Sequence, residues 1–198
     1  MGRLLCRVAR SASSRYGDDI DTRLAIRNAV LARVGVDERE VRSIDSFIAH
    51  LDLLEHPFNE EANAVHVTGS AIVIGPRGVV LHLHKRLGIW LQPGGHIEQG
   101  ELPWDGALRE AREEIGLDVV HPRAGPDLVH VDVHPGPRGH THLDLRYLMF
   151  GPDDDPAPPP GESPDARWFS WDEAIGIADE GLVGALRSVR NRLDAVRE

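Results

Sequence analysis

Three glutamates within five residues constrain this chain more than any other feature. Residues 94–117 read GGHIEQGELPWDGALREAREEIGL and contain six acidic side chains. The apolar spacing predicts a helix over Pro103–Ile115. On that helix Glu110, Glu113 and Glu114 stand at i, i+3 and i+4, so they share one face. Like charges at this spacing cost roughly a few tenths of a kcal/mol per pair, so something must offset their repulsion.

Two explanations fit that acidic face. The simpler one is a solvated surface with Arg109 and Arg112 as partial counterions, and the glutamates alone would favour it. The other is a hard divalent cation, because Mg²⁺ binds carboxylate oxygens together with substrate phosphates. The preceding Gly94 and Gly95 permit close backbone approach and unusual backbone angles, which favours the second explanation.

The spacing of the fixed residues carries a resemblance to a known family. From Gly95 to Leu117 the pattern reads G-x5-E-x7-R-E-A-x-E-E-x-G-L. It resembles the Nudix box, the signature of the Nudix hydrolases, at every fixed position. LQPGGHIEQGE and RWFSWDEA extend the resemblance over residues 65–178. One departure is Leu102, where the family often has a capping Thr, so Pro103 and Asp105 are left to start the helix.

The resemblance implies a fold and an activity. The fold is a Nudix-type α/β/α sandwich with a mixed sheet, here preceded by an N-terminal helical hairpin. Strands mixed with helices, without regular alternation, independently favour the α+β class. The implied activity is Mg²⁺-dependent cleavage, with Mn²⁺ as a substitute cation, of a pyrophosphate bond in a nucleoside diphosphate derivative or nucleoside triphosphate. The expected partner is therefore a small phosphorylated substrate, a nucleotide.

The resemblance also assigns the metal site. Glu110, Glu113 and Glu114 match the metal-binding glutamates of the family, and the carbonyl of Gly94 matches a further ligand position. Arg109 matches the residue that orients a carboxylate from outside the metal's own ligands. The implied catalytic set is therefore centred on the acidic helix.

The identity of the general base stays open at this point. Glu114 is one candidate. Glu162, in the loop PGESPDARWF, is the other, because it lies where some family members carry a base. An ordinary loop acid explains Glu162 equally well. Glu101 is expected to be structural and paired with Arg109.

Further side chains are candidates for substrate binding. His142, Asp144 and Tyr147 lie on a strand that we expect near the cleft, and His96 follows the paired glycines. Trp104 lies near the box and could stack on a base. Core packing is the commoner use of such an aromatic residue.

The histidines follow a strand pattern that allows several uses. His82 and His84 alternate along one strand, as do His140, His142 and Asp144 along another. Side chains at i and i+2 face the same side of a strand, so these groups could bind zinc. They could equally contact the phosphate or base of a substrate, or form an ordinary polar strand face.

Periodicity divides the chain into three parts. Two apolar stripes between residues 20 and 56 predict a helical hairpin, and from Val65 the pattern changes to that of strands. The predicted parts are a disordered tail at residues 1–18, a helical extension at 19–62 and a Nudix hydrolase domain at 63–198. The stripes of the hairpin need a partner surface. That surface is either the main domain or a second subunit, and we expect a homodimer.

Composition limits the partners and the setting. A net charge of −10 disfavours a protein that grips nucleic acid polymers. Cys6 is the single cysteine, which indicates a reducing compartment, the cytoplasm. No apolar run is long enough to predict a membrane span. Lys85 is the only lysine among many arginines, and this bias suggests a bacterial, high-GC source.

The alternative function is a Nudix-fold module that senses a nucleotide without turning it over. The intact REAREE argues against it, because a pure binder has no use for a full set of metal ligands and a base. The sequence leaves the identity of the diphosphate substrate open.

Overall fold

The helices and strands follow the predicted pattern. The computed structural model describes residues 17–197, so the predicted tail lies outside the described residues apart from its last two positions. The helices are α1 (Gly17–Leu31), α2 (Glu38–Leu53), α3 (Pro103–Ile115), α4 (Trp171–Ile177) and α5 (Glu180–Arg197). The strands are β1 (Val65–Gly75), β2 (Gly78–Leu83), β3 (Trp90–Leu91), β4 (Gly94–His96), β5 (Asp127–Pro135), β6 (Thr141–Phe150) and β7 (Ala166–Phe169). None of the helices between residues 17 and 197 combines the length and apolarity that crossing a bilayer requires.

The strands form one mixed sheet. Its order is β3-β2-β1-β6-β5, with β4 also paired to β1 and β7 to β2. The central strands β1 and β6 run parallel, whereas the other pairs are antiparallel. The predicted α+β class with a mixed sheet is confirmed.

Helix α3 covers one face of this sheet. Ala107, Ala111 and Ile115 are fully buried, because they recur at helical spacing on the side toward the strands. The helix approaches β1 so closely that a Cβ at Gly69 would lie 2.4 Å from the carbonyl oxygen of Pro103. The small residues of α3 pack against the sheet, and its glutamates lie to one side of that contact.

The helix ends are set by local signals. Leu102 caps α3 without a side-chain hydrogen bond, and Pro103 stands in the first turn. Gly116 ends the helix in the left-handed region, with φ of 64°. Ser170 and Glu173 form a capping box at the start of α4. Each of these signals depends on residues adjacent in sequence.

Helices α4 and α5 cover the opposite face. Leu182, Leu186 and Val189 of α5 pack into a second apolar cluster with Ile72 and Leu81 of the sheet. With α3 on one side and α5 on the other, the layers form the α/β/α sandwich.

Helices α1 and α2 form the predicted hairpin and join the core on the α3 side. Phe47 and Leu51 of α2 and Val30 of α1 are fully buried, and Ile26 of α1 is 2% exposed. All four belong to the same apolar cluster as the inner side of α3. The hairpin therefore finds a partner surface within its own chain, which is one of the two surfaces that the sequence left open.

Candidate functional site

Strand β4 brings the paired glycines against the acidic helix. Gly94–His96 forms a short strand that pairs with β1. A Cβ at Gly94 would lie 2.3 Å from the Cβ of Ser70, and one at Gly95 would lie 2.6 Å from the Glu110 carboxylate. Both glycines are therefore required for the carboxylates to lie against the strand backbone.

The three glutamates of α3 lie together beside β4. The side chains of Glu110 and Glu114 are 19% and 17% exposed, whereas that of Glu113 is 54% exposed. The N–H of Gly94 donates a hydrogen bond to Glu114 Oε2 at 2.8 Å. All four positions that the resemblance assigned to the metal are thus brought to one place, which we call the carboxylate cluster.

Arg109 connects the carboxylate cluster to β4. Its guanidinium donates two hydrogen bonds to Glu101, both 3.0 Å long. Nη1 donates to Glu110 at 2.8 Å and to Glu113 at 3.1 Å, and Nη2 donates to the backbone carbonyl of His96 at 3.0 Å. The hydrogen bonds that Arg109 donates to Glu101 are the main cause that raises the pKa of Arg109. Glu101 and Arg109 are therefore paired in the way that the sequence predicted.

The cluster carries more negative charge than the protein balances. Burial raises the pKa of Glu114 to about 8; the Gly94 N–H opposes this rise, and the charges of Glu110, Glu162 and Glu113 add to it. Burial likewise raises the pKa of Glu110. In the metal-free protein Glu114 therefore holds a proton at neutral pH. A divalent cation that displaces this proton would supply the missing positive charge, and an all-oxygen donor set suits Mg²⁺.

The loop between β6 and β7 brings Glu162 to the same cluster. Its charge is one of those that raise the pKa of Glu114. The Lys85 ammonium donates to the carbonyl of Gly161, and the N–H of Glu162 donates to the carbonyl of Pro159 at 3.1 Å. Glu162 is thus near enough to Glu114 for the two charges to interact, and its role as a base stays a prediction.

His82, one of the alternating histidines, is a neighbour of this site. Its Nε2 lies 3.6 Å from Glu114 Oε2, and its side chain is 5% exposed. Burial lowers the pKa of His82 to about 4, with a further contribution from His84, so the ring is neutral at physiological pH. The alternation of His82 and His84 indicated a shared strand face but not that α3 lies over it.

Asp144, a predicted substrate contact, lies in a buried polar network. It accepts hydrogen bonds from Thr68 at 3.1 Å, Ser70 at 2.9 Å and Arg146 at 2.9 Å. Arg146 also donates to Asp132 at 3.1 Å. These partners join β1, β5 and β6 through Asp144, so the side chain has a structural use, and its contact with substrate stays a prediction.

Tyr147 lies on the other face of the sheet from Asp144. Successive side chains of a strand alternate between faces, so residues three apart point to opposite sides. Tyr147 is 4% exposed and packs in the core under α3, with its ring centroid 6.4 Å from that of Trp104. The prediction that Tyr147 lines a cleft with His142 and Asp144 is wrong. Trp104 is partly buried against the same core, and core packing accounts for it.

His96 and His142, the remaining predicted contacts, meet around a histidine that sequence reasoning did not name. The ring centroid of His66 lies 5.0 Å from that of His96 and 5.2 Å from those of His140 and His142. These four residues form the histidine cluster. Glu60, from the segment before β1, places Oε2 3.3 Å from His96 Nε2. Only the pairing of β1 with β6 and β4 reveals this group.

A comparison with known protein families shows which family the chain belongs to. A family model described as the NUDIX domain matches residues 64–190. The chain belongs to the Nudix hydrolase family. The Nudix resemblance carried by the box is thereby confirmed, and the match covers the sheet, α3, α4 and most of α5.

Curated Nudix relatives match shorter segments. The chain is 36% identical to Nudix hydrolase 6 of Arabidopsis thaliana over 88 residues, which are 40% of this chain and 29% of that protein. It is 52% identical to the 8-oxo-dGTP diphosphatase of Proteus vulgaris over 33 residues, 17% of this chain and 30% of that protein. The chain therefore matches less than a third of the length of either relative.

A solved Nudix structure matches at greater length. A NUDIX family hydrolase from Clostridium perfringens superposes with a TM-score of 0.55 and 29% sequence identity, over 63% of this chain and 96% of that one. The match therefore spans nearly the whole of that structure and leaves part of this chain outside it.

Proposed function

We propose that this chain is a Mg²⁺-dependent pyrophosphohydrolase that cleaves a pyrophosphate bond in a nucleoside diphosphate derivative or a nucleoside triphosphate. The observation that carries the proposal is the charge imbalance at Glu114. Its carboxylate is buried beside two further glutamates of α3, and its pKa is raised to about 8. Perturbed carboxylates of this kind concentrate at functional sites.

Within this proposal Glu110, Glu113 and Glu114, together with the carbonyl of Gly94, hold the metal. The bound cation supplies charge neutralisation at the bridging phosphates and lowers the pKa of a water. Arg109 keeps Glu110 and Glu113 in position through its hydrogen bonds of 2.8 Å and 3.1 Å. Mn²⁺, which also takes oxygen ligands, is expected to replace Mg²⁺.

We assign the general base to Glu162, with Glu114 as the alternative. Glu114 holds its own proton in the metal-free protein, and once that proton is displaced its oxygens are needed by the cation. Glu162 lies close enough to influence Glu114 electrostatically and is on a loop. A loop carboxylate can take up a proton from water when substrate completes the site.

The substrate class follows from the same chemistry. The proposal of a nucleotide is supported by a relative described as an 8-oxo-dGTP diphosphatase. A small phosphorylated molecule suits a site whose positive charge comes from a metal rather than from basic side chains. We place the reaction in the cytoplasm on the evidence of the single cysteine.

A homodimer is a further part of the proposal. The hairpin leaves large apolar side chains exposed on its outer side: Leu24, Leu31, Val34, Val41 and Leu53. Such side chains favour a contact with a second copy. Sedimentation of the full chain tests this, because a monomer at all concentrations would contradict it.

The activity is tested with a panel of diphosphate compounds. Nucleoside triphosphates, oxidised nucleotides, nucleotide sugars and dinucleoside polyphosphates are each incubated with the full chain in Mg²⁺, in Mn²⁺ and in chelator, and the products are identified. We expect turnover of at least one compound that chelator abolishes and Mg²⁺ restores. Tight nucleotide binding without turnover would instead support the sensing module.

A further inference from the structure

We propose that the histidine cluster binds a transition-metal cation of the zinc class through His66, His96 and His142, at a site separate from the carboxylate cluster. One ring nitrogen from each of these three residues lies within 4.8 Å of the other two. The proposal depends on these side chains alone and not on the proposed hydrolase activity.

The first argument is that the cluster holds nitrogen atoms without partners. Buried polar side-chain atoms in folded proteins are nearly always hydrogen-bonded. Yet three buried ring nitrogens of this cluster have no hydrogen-bond partner among the described residues: His66 Nε2, His140 Nδ1 and His142 Nε2. His96 Nε2 makes no hydrogen bond of good geometry either, and Glu60 Oε2 lies 3.3 Å from it. A metal ion is the partner that can satisfy several converging imidazole lone pairs at once.

His66 is held in the tautomer that suits a metal ligand. This ring is 1% exposed, and its Nδ1 lies 3.0 Å from the backbone carbonyl of Asn63. A carbonyl oxygen can only accept, so Nδ1 carries the hydrogen and Nε2 presents a lone pair. Metal-binding histidines are usually oriented by such a bond from the other ring nitrogen.

The third argument is geometric. Tetrahedral zinc with Zn–N distances of 2.0–2.1 Å separates its ligand nitrogens by about 3.3 Å. The present separations of up to 4.8 Å therefore need modest closure of the rings. A second group, Glu60, His66 and His140, meets the same spacing and overlaps the first at His66.

Charge distinguishes a cation from the phosphate of a substrate at this place. The rings of His66, His96 and His142 are buried or half-buried, and burial disfavours the charged form of an imidazole. Neutral imidazoles attract a phosphate weakly, and the nearby Glu60 carboxylate would repel it. Imidazole nitrogen also suits zinc, cobalt and nickel better than Mg²⁺.

The two sites lie on opposite faces of β4. Gly95 pairs with Gly69, and a side chain at Gly95 would meet Glu110 of α3. His96 pairs with Thr68, one position along, so its ring points to the opposite side. A cation bound there would tie β4 to β1 and β6 and would steady the strand on which the carboxylate cluster rests.

Zinc binding is measured on the untagged full chain. The protein is dialysed against ZnCl₂ in the presence of millimolar Mg²⁺, which occupies the carboxylate cluster, and retained metal is counted by mass spectrometry. We expect about one zinc per chain and a rise in Tm of roughly 5 °C or more at saturating zinc. No retained zinc and no change in Tm would overturn the proposal.

Variants separate the histidine cluster from other sites. His66→Asn and His142→Asn are expected to weaken zinc binding by at least about a hundredfold. His121→Asn is the matched control, because His121 also has a buried nitrogen without a partner but lies outside the cluster. Equal zinc affinity in all three variants would refute the site.

A spectroscopic variant keeps the test decisive if an asparagine substitution unfolds the chain. His142→Cys retains a ligand, and with Co²⁺ it should add a sulfur-to-metal charge-transfer band that the parent protein lacks. Absence of that band in folded, Co²⁺-loaded protein would contradict ligation by this position. If inorganic phosphate rather than zinc raises Tm through His66 and His142, the cluster is an anion site and the proposal fails.

Discussion

Two groups of buried carboxylates in this molecule differ in how their charge is balanced. Burial alone would raise the pKa of Asp132. Hydrogen bonds from His134 and Arg39 and the charge of Arg146 outweigh burial and lower that pKa. At Glu114 burial also raises the pKa, and the Gly94 backbone N–H is the one main cause that lowers it. The pKa of Glu114 therefore rises to about 8. Both carboxylates are buried, so the groups around each one decide whether its pKa falls or rises.

The difference separates structural acids from acids that await a ligand. A buried carboxylate with its own arginines is complete and holds strands together. A buried carboxylate beside other acids is incomplete until a cation arrives. The following predictions test whether this distinction between the Asp132 network and the carboxylate cluster holds.

The largest effect is expected at Glu162. Glu162→Gln should lower kcat by about 10²–10⁴, the range for loss of general-base help, with little change in KM. Steady-state kinetics on the substrate found by the panel measure both constants. A variant that matches the parent would leave the proton transfer to Glu114.

Loss of a proposed metal ligand should affect activity and spare the fold. Glu113→Gln and Glu114→Gln should each reduce turnover by at least about a hundredfold. Tm should change little, because Gln keeps the size and polarity of the side chain, Glu113 is half exposed and Glu114 is already protonated in the metal-free protein. Glu38→Gln is the control, since Glu38 is exposed on α2. Near-normal turnover in either cluster variant would remove the metal assignment.

The Asp132 network should respond in the opposite way. Asp132→Asn removes the charge that Arg146 and Arg39 contact at 3.1 Å and 2.9 Å. The free energy of unfolding should fall by about 1.5–3 kcal/mol, the worth of hydrogen bonds to charged groups. Urea denaturation measures this fall. A loss of activity without a loss of stability would mean that Asp132 acts in the catalytic site. The Asp132 network and the carboxylate cluster would then not differ in the proposed way.

The smallest effect is a dependence of metal affinity on pH. The raised pKa of Glu114 means that its proton must leave when Mg²⁺ binds below about pH 8. Affinity should therefore rise by up to about tenfold per pH unit below that value and level off above it. Calorimetry in two buffers of different ionisation enthalpy should detect close to one proton released at pH 7. In Glu114→Gln the release should vanish, and a flat profile in the parent would be inconsistent with the charge imbalance.

Local chemistry was predictable from the sequence, and distant pairing was not. The ends of α3 at Pro103 and Gly116 and the capping box at Ser170 each depend on neighbouring residues. The opposite faces of Asp144 and Tyr147 also follow from alternation alone, so that error was avoidable.

Other parts of the site required the fold. Arg39 lies 93 residues from Asp132 in the sequence, yet their side chains are bonded at 2.9 Å. Nothing local links His82 to Glu114 or His66 to His142, since these pairs arise from helix packing and strand register. Such contacts depend on which strands become neighbours, and a single sequence does not encode that in any short window.

The parallel pairing of β1 with β6 has a consequence for the order in which the chain folds. Thr68 and Asp144 are 76 residues apart, and β1 has apolar side chains buried on both faces. During synthesis β1, β2 and α3 emerge from the ribosome well before β6. The edge of β1 that pairs with β6 therefore stays unpaired until β6 has been made. Long loops close late and exposed edges invite aggregation. The centre of the sheet therefore cannot close until β6 has been made, and until then β1 exposes an unpaired edge to other chains.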